Sequence, residues 1–153
     1  MAYLIGIDPG AKRTGVCVVG FDAENYALLK DADDLEGIPE VWDWLVDTVH
    51  THGNPEAIIM EDYVPHRAAG NPRGLEVIGA VKAWAWLNYI NVVMQSASGR
   101  KVAVPDEALR MLGVNWSGDK DRNWIEAVRH CVWYLKKQAH VPTLLQGWPS
   151  VSR

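Results

Sequence analysis

The chain of 153 residues has only two cysteines, Cys17 and Cys131, and no CxxC spacing. That leaves no basis for a disulfide framework, and both read as reduced core thiols of a cytosolic protein. Long hydrophobic runs are missing too. The most apolar stretch, 79–94, contains Lys82, Asn88 and Asn91, which is wrong for a membrane span. The first residues lack a basic segment followed by an apolar one, so no secretory signal is expected. An excess of positive charge is absent: 15 Lys and Arg stand against 19 Asp and Glu, a net charge of −4. This argues against a polybasic binder. It leaves nucleic acid open, because a carboxylate cluster subtracts from the total while surrounding loops stay basic. No internal repeat, linker or low-complexity segment divides the chain, so residues 1–153 are expected to form one domain.

The most informative stretch is the opening, Leu4-Ile5-Gly6-Ile7-Asp8-Pro9-Gly10, followed by Thr14-Gly15-Val16-Cys17-Val18-Val19. An apolar run ends in one carboxylate, a Pro-Gly turn follows, and a second apolar run returns. Asp sits badly inside a strand, so Asp8 at the end of one is either a turn cap or a functional group. Gly10 and Gly15 permit positive φ and close backbone approach.

Along the chain, 3–8 and 14–21 read as strands with 11–13 as the tip, 26–31 as a third strand and 33–39 as a polar connection. Residues 40–52 place Val41, Trp44, Leu45, Thr48 and Val49 on one helical face. Residues 57–60 form a short apolar strand ending in Glu61-Asp62, with the continuous apolarity of a parallel strand buried on both faces. The pattern then predicts a long helix over 75–95, a strand over 101–104, a short helix over 106–112, a polar loop over 113–120 and a last helix over 121–138. That helix has Ile125, Val128, Val132 and Leu135 on its core face, and the tail from about 141 reads as irregular. Three hairpin strands followed by βαβ units make a mixed-sheet α/β domain.

Asp8, Glu61 and Glu126 stand at positions such a sheet can bring together beyond the carboxyl ends of its strands. Glu61 is preferred to Asp62 because it directly follows the apolar run. Glu126 has Arg122, Arg129 and His130 within one helical turn, so a solvated ion-pair face is its alternative reading. Like charges brought together call for a cation, and oxygen ligands without a His/Cys set select Mg²⁺ or Mn²⁺. Two such ions about 3.5–4 Å apart suit in-line attack of water on a phosphodiester. Asn123, Asp119 and Asp121 are candidates for a fourth oxygen, Asn123 being favoured because it lies one turn before Glu126 on the same face. His130 either orients a carboxylate, protonates a leaving group, or is a plain helix histidine.

Ile5-Gly6-Ile7-Asp8-Pro9-Gly10 with Thr14-Gly15 resembles the first motif of RuvC-type Holliday-junction resolvases, members of the RNase H-like superfamily. Ile58-Ile59-Met60-Glu61 resembles their second motif, and Glu126-Ala127 followed by His130 their last acidic helix. The resemblance spans nearly the whole chain, in order, in a compact form similar to phage-borne members. It implies an RNase H-like mixed five-stranded sheet, three antiparallel strands then parallel ones, flanked by helices. It also implies a homodimer in a bacterial or phage-infected cytoplasm, two divalent ions, and paired nicking of four-way DNA junctions. Catalytic candidates are Asp8, Glu61, Glu126 and His130, and metal candidates Asp8, Glu61, Asn123 and Glu126. The family places two acidic positions three residues apart where this chain has Asn123 and Glu126, and Asn is a poorer ligand than Asp.

Phosphate contacts are expected from Lys12, Arg13, Arg67, Arg73, Lys120, Arg122 and Arg129, all in segments near the acidic cluster. Loop 66–74 is the expected junction-probing element, with Tyr63 or His66 stacking on an unpaired base. The wide apolar arc of 75–95 (Ile78, Val81, Ala85, Trp86, Tyr89 and Val93, extended by Trp84 and Leu87) is expected to form the dimer interface. The rival readings are a YqgF-like nuclease acting on structured RNA, an actin-like sugar kinase, for which the chain is too short, and a non-catalytic junction-binding protein.

Overall fold

In a computed structural model, residues 1–10, 12–62, 72–117 and 122–150 are described. Strands β1 (Ala2–Pro9), β2 (Thr14–Phe21) and β3 (Leu28–Leu35) form a meander, followed by α1 (Ile38–His52), β4 (Ala57–Asp62), α2 (Arg73–Leu87) and β5 (Val92–Ser96). Helices α3 (Arg100–Ala103), α4 (Asp106–Met111), α5 (Asn123–Lys137) and α6 (Val141–Gly147) complete the chain. The sheet runs β3-β2-β1-β4-β5, with the meander antiparallel and β1-β4-β5 parallel. This is the mixed five-stranded sheet the sequence leads one to expect.

Both faces of the central strands are covered, which is why they read as continuous apolar runs. Leu4, Cys17, Val19 and Ile59 point toward Ala127, Val128, Cys131 and Leu135 of α5. Ile5, Ile7, Val16, Val18, Ile58 and Met60 point toward Val41 and Leu45 of α1 and Val77, Val81 and Ala85 of α2. The edge strand β3 carries Lys30, Asp31, Asp33 and Asp34, charges that discourage pairing with another chain.

Four segments differ from the sequence reading. The third strand starts and ends later than 26–31, at Leu28 and Leu35, because Asp33 and Asp34 tolerate an exposed edge. The helix expected over 75–95 stops at Leu87, and 92–96 is the fifth strand, paired in parallel with β4. Its stop is a left-handed Tyr89, φ 57°: Tyr89 N–H donates to Trp86 O and Ile90 N–H to Ala85 O, the paired bonds of a Schellman end. A glycine would have announced that stop, and none is there. Residues 101–104 are not a strand. Gly99, φ 83°, starts the single turn of α3, in which Val102 is exposed and no residue is fully buried, Val104 being buried just after it. The tail from 141 is not irregular: His140 N–H donates to Leu135 O, and the turn it makes starts α6.

Candidate active site

Strands β1 and β4 pair in parallel through Ile7 and Met60, so the next residues, Asp8 and Glu61, leave the sheet side by side. Helix α5 crosses the same end at backbone contact. A Cβ at Gly15 would lie 2.1 Å from the carbonyl carbon of Asn123, and one at Gly6 would lie 2.5 Å from Ala127 O. Gly15 serves this approach alone, whereas a Cβ at Gly10 would meet Arg13 O of its own hairpin at 2.2 Å before Asn123 Nδ2 at 2.7 Å. Among the described residues, the glycines with positive φ are Gly53, Gly99 and Gly113. The N-terminus of α5 is tied down from β3 and from the β1–β2 hairpin tip: Asp34 Oδ1 accepts from Trp124 N–H at 2.9 Å, and Asn123 Nδ2 donates to Arg13 O at 2.7 Å. The amide nitrogen of Asn123 is thus spent on the hairpin tip, leaving its Oδ1 as the one atom able to serve a metal.

Asp8 and Glu61 are buried and joined by a side-chain hydrogen bond. Burial pushes the Asp8 carboxyl up to about 8, the charges of Glu61 and Glu126 push the same way, and Arg100 opposes them. Burial also works against a charged Glu61, but the hydrogen bond from His130 and the charges of Arg100 and His130 outweigh it and hold Glu61 below the usual carboxylate range. The two carboxyls are thus pushed in opposite directions and titrate as a pair.

His130 is wholly buried, with Nε2 3.2 Å from Glu61 Oε2 and Nδ1 2.8 Å from Gln95 Oε1. Both ring nitrogens are engaged inside the protein, so the ring faces Glu61 and not solvent. Trp133 stacks on its other side. Among the described residues, Gln95 Nε2 is a buried donor without a partner. Gln95 was missed in the sequence because its strand was read as helix.

Glu126 Oε2 accepts from Arg100 Nε at 2.8 Å and from Arg129 Nε at 3.1 Å. Arg129 is fully buried and also donates to Val104 O and to Asp106 Oδ1. It is therefore a structural cation and not the expected phosphate contact. The helical stripe alone could not separate the two roles. Arg100 was missed as well, since it lies on the turn read as a strand. Of the other expected contacts, Lys12 and Arg13 are exposed at the hairpin tip, Arg13 facing Glu36 at 3.4 Å. Arg122 Nη2 donates to Ser117 Oγ at 3.2 Å, and Arg73 starts α2 half-buried. Arg67, Lys120, Tyr63, His66, Asp119 and Asp121 lie outside the described residues.

Among the described residues, no three His, Cys, Asp or Glu side chains converge as a ready-made metal cage. Asp8 and Glu61 nonetheless fit a hard divalent ion: two carboxylates side by side, oxygen donors only, with the Asp8 carboxyl pushed up by burial and by the charge of Glu61. Glu126 is the exception, turned to two guanidinium groups.

The fold is RNase H-like. By sequence, neither a family model nor a curated protein matches the chain. By structure, it is similar to Thermus thermophilus RuvC in complex with a Holliday junction substrate, with a TM-score of 0.70 at 17% identity over 92% of this chain and 98% of that one. It is also similar to the fowlpox virus resolvase in complex with Holliday junction DNA (TM-score 0.56, 16% identity, 88% and 99% covered). The yeast mitochondrial Holliday junction resolvase Ydc2 is a third relative in fold (TM-score 0.59, 13% identity, 94% and 83% covered).

Proposed function

We propose that this chain is a divalent-metal-dependent endonuclease that nicks four-way junctions, and related branched DNA, by hydrolysis of a phosphodiester. The observation that carries this reading is the meeting of Asp8 and Glu61 at the carboxyl ends of two parallel strands, with Glu126 of α5 beside them, on a fold shared with junction resolvases.

Asp8 and Glu61 would hold Mg²⁺ or Mn²⁺, with Glu126 and Asn123 Oδ1 as further oxygen donors. In the two-ion form of the reaction, the ions when bound would activate the attacking water and neutralise the leaving oxygen. The chain supplies the rest. His130, held by Gln95, keeps Glu61 ionised and fixes its orientation. Asp8, pushed up by burial, would hold the cation in its ionised form. Lys12, Arg13, Arg73 and Arg122 would contact phosphates flanking the site, with Arg67 and Lys120 added from the two neighbouring loops.

A homodimer through α2 suits a four-way substrate. Ile78, Val81, Trp84 and Ala85 are used up against the sheet, but Leu75, Trp86, Leu87 and Tyr89 are exposed, as are Trp42 and Val46 of α1. Among the described residues no helix is long and apolar enough to cross a membrane. Action on DNA in the cytoplasm of a bacterial or phage-infected cell belongs to the same proposal.

One observation favours the non-catalytic reading: Glu126 is already neutralised by Arg100 and Arg129. The deciding experiment is cleavage of a labelled synthetic four-way junction and a matched linear duplex with Mg²⁺, Mn²⁺ or EDTA. Paired metal-dependent nicks on the junction alone support the proposal. Binding without cutting in either metal supports the alternative, and preference for structured RNA in the same assay supports the YqgF-like reading.

A further inference from the structure

Two guanidinium groups meet at one oxygen of Glu126, and they are not equivalent. Arg129 is enclosed, with its remaining donors spent on Val104 O and Asp106. Its position is set by the packing of α5 against α3 and α4. Arg100 comes from a four-residue helix with no fully buried residue, entered through a left-handed Gly99. Its side chain is 23% exposed. Its anchors are Glu126 Oε2 and the carbonyl of Ala97 three residues back in its own loop, at 2.7 Å. It therefore reaches the carboxylates from the open side and can leave without disturbing the core.

Its charge acts on all three carboxylates. Arg100 stabilises the ionised forms of Asp8 and Glu61, and it pairs directly with Glu126. A divalent ion held by the same carboxylates would supply the same compensation with twice the charge. The two cations compete for overlapping ligands, and a guanidinium cannot stay bonded to the oxygen that an ion takes.

We propose that Arg100 is a displaceable counter-cation: it holds the carboxylate cluster together in the metal-free protein and yields Glu126 to the incoming divalent ion. This rests on the metal-dependent reading of the site. Three acidic groups can then be kept close without metal, and ion affinity is set partly by the cost of detaching Arg100. The same detachment releases a guanidinium at the open mouth of the site, where a phosphate would approach.

The test is calorimetric titration of Mn²⁺ alone into wild-type protein, Arg100→Gln, Arg100→Lys and Asp8→Asn, with thermal unfolding of each followed with and without Mn²⁺. Loss of one nearby unit charge predicts that Arg100→Gln binds Mn²⁺ on the order of tenfold more tightly. It should also melt lower than wild type without metal and regain that loss when Mn²⁺ is added. Arg100→Lys keeps the charge but lacks the Nε contact, and its affinity should fall between the two. Wild-type or weaker Mn²⁺ affinity in a folded Arg100→Gln overturns the proposal, and the same result in Arg100→Lys does so if the glutamine variant does not fold. Absence of any heat that depends on Asp8, in wild type included, overturns the metal reading itself. That outcome is distinct from tight Asp8-dependent binding that ignores Arg100.

Discussion

Asp8 and Glu61 leave neighbouring parallel strands side by side, where burial and the charge of Glu61 push the Asp8 carboxyl up while His130 and Arg100 hold Glu61 down. The pair brings two like charges together, a conflict that a proton, or in the proposed metal-bound state a cation, would relieve. Asp8→Asn removes the conflict and the ligand together. Junction cleavage should fall at least about a thousandfold, the scale of losing a group that acts on the transition state. Junction binding should hold or strengthen, because negative charge near the phosphates is lost. Gel-shift and nicking assays on the same preparation check both, and wild-type cutting by the variant would refute the metal model.

The same pair sets a pH dependence. The folded pKa of Asp8, about 8, lies above its ordinary value of 3.8, so the folded state binds more protons than the unfolded one between those limits. Its contribution is therefore fully present below pH 3.8 and lost as pH rises through 8. Glu61, held low, works in the opposite sense, its contribution being lost only at acid pH. Without metal, wild-type protein should lose on the order of 3 kcal/mol between pH 4 and 8, discounted from the full shift because the pair titrates jointly. Denaturant unfolding at several pH values in EDTA should show that slope, and Asp8→Asn should flatten it.

His130 acts through Glu61, so its removal should separate turnover from binding. His130→Ala is expected to lower kcat about 10- to 100-fold, the usual effect of losing a partner that orients a metal ligand. Junction Kd should stay near wild type. Gln95→Leu should give a smaller kcat loss in the same direction. Equal losses in affinity would point to a general collapse of the site instead.

Arg129 and Arg122 lie one helical turn or more apart and should fail differently. Arg129→Ala leaves Glu126 and Asp106 short of a buried partner and should cost about 3–5 kcal/mol of stability. Arg122→Ala should leave unfolding within about 0.5 kcal/mol of wild type. It should lower the salt dependence of junction binding by about one phosphate contact. Chemical denaturation and salt titration of binding distinguish the two.

Ala139, φ 54°, is an exposed left-handed residue at the end of α5. Ala139→Gly should stabilise the protein by up to about 1 kcal/mol, since glycine adopts that conformation without the Cβ penalty. A rise of roughly 2–4 °C in Tm is the expected reading. Gly15→Ala is the counterpart: its Cβ would meet the α5 backbone, and a loss of about 3 kcal/mol is expected.

Sequence by itself determined the apolar strands ending in Asp8 and Glu61, the amphipathic faces of α1 and α5, and the order of hairpins before parallel strands. These are local matters, since the period of side-chain burial is written into consecutive residues. Glycines at 10 and 15 were legible as places of close approach, though not which helix approaches, and the contact of Gly6 with α5 was not. The tertiary structure alone decided where α2 ends, because a tyrosine takes the left-handed position that glycine usually marks. It likewise decided that Val92–Ser96 pairs with β4 while 101–104 coils, since a short apolar run fits either state until a neighbouring strand offers its hydrogen bonds. Gln95, Arg100 and the buried role of Arg129 depend on contacts 23 to 35 residues apart in the chain. No local pattern encodes such contacts; only the closing of α3, α4 and α5 over the sheet edge brings those charges to one place.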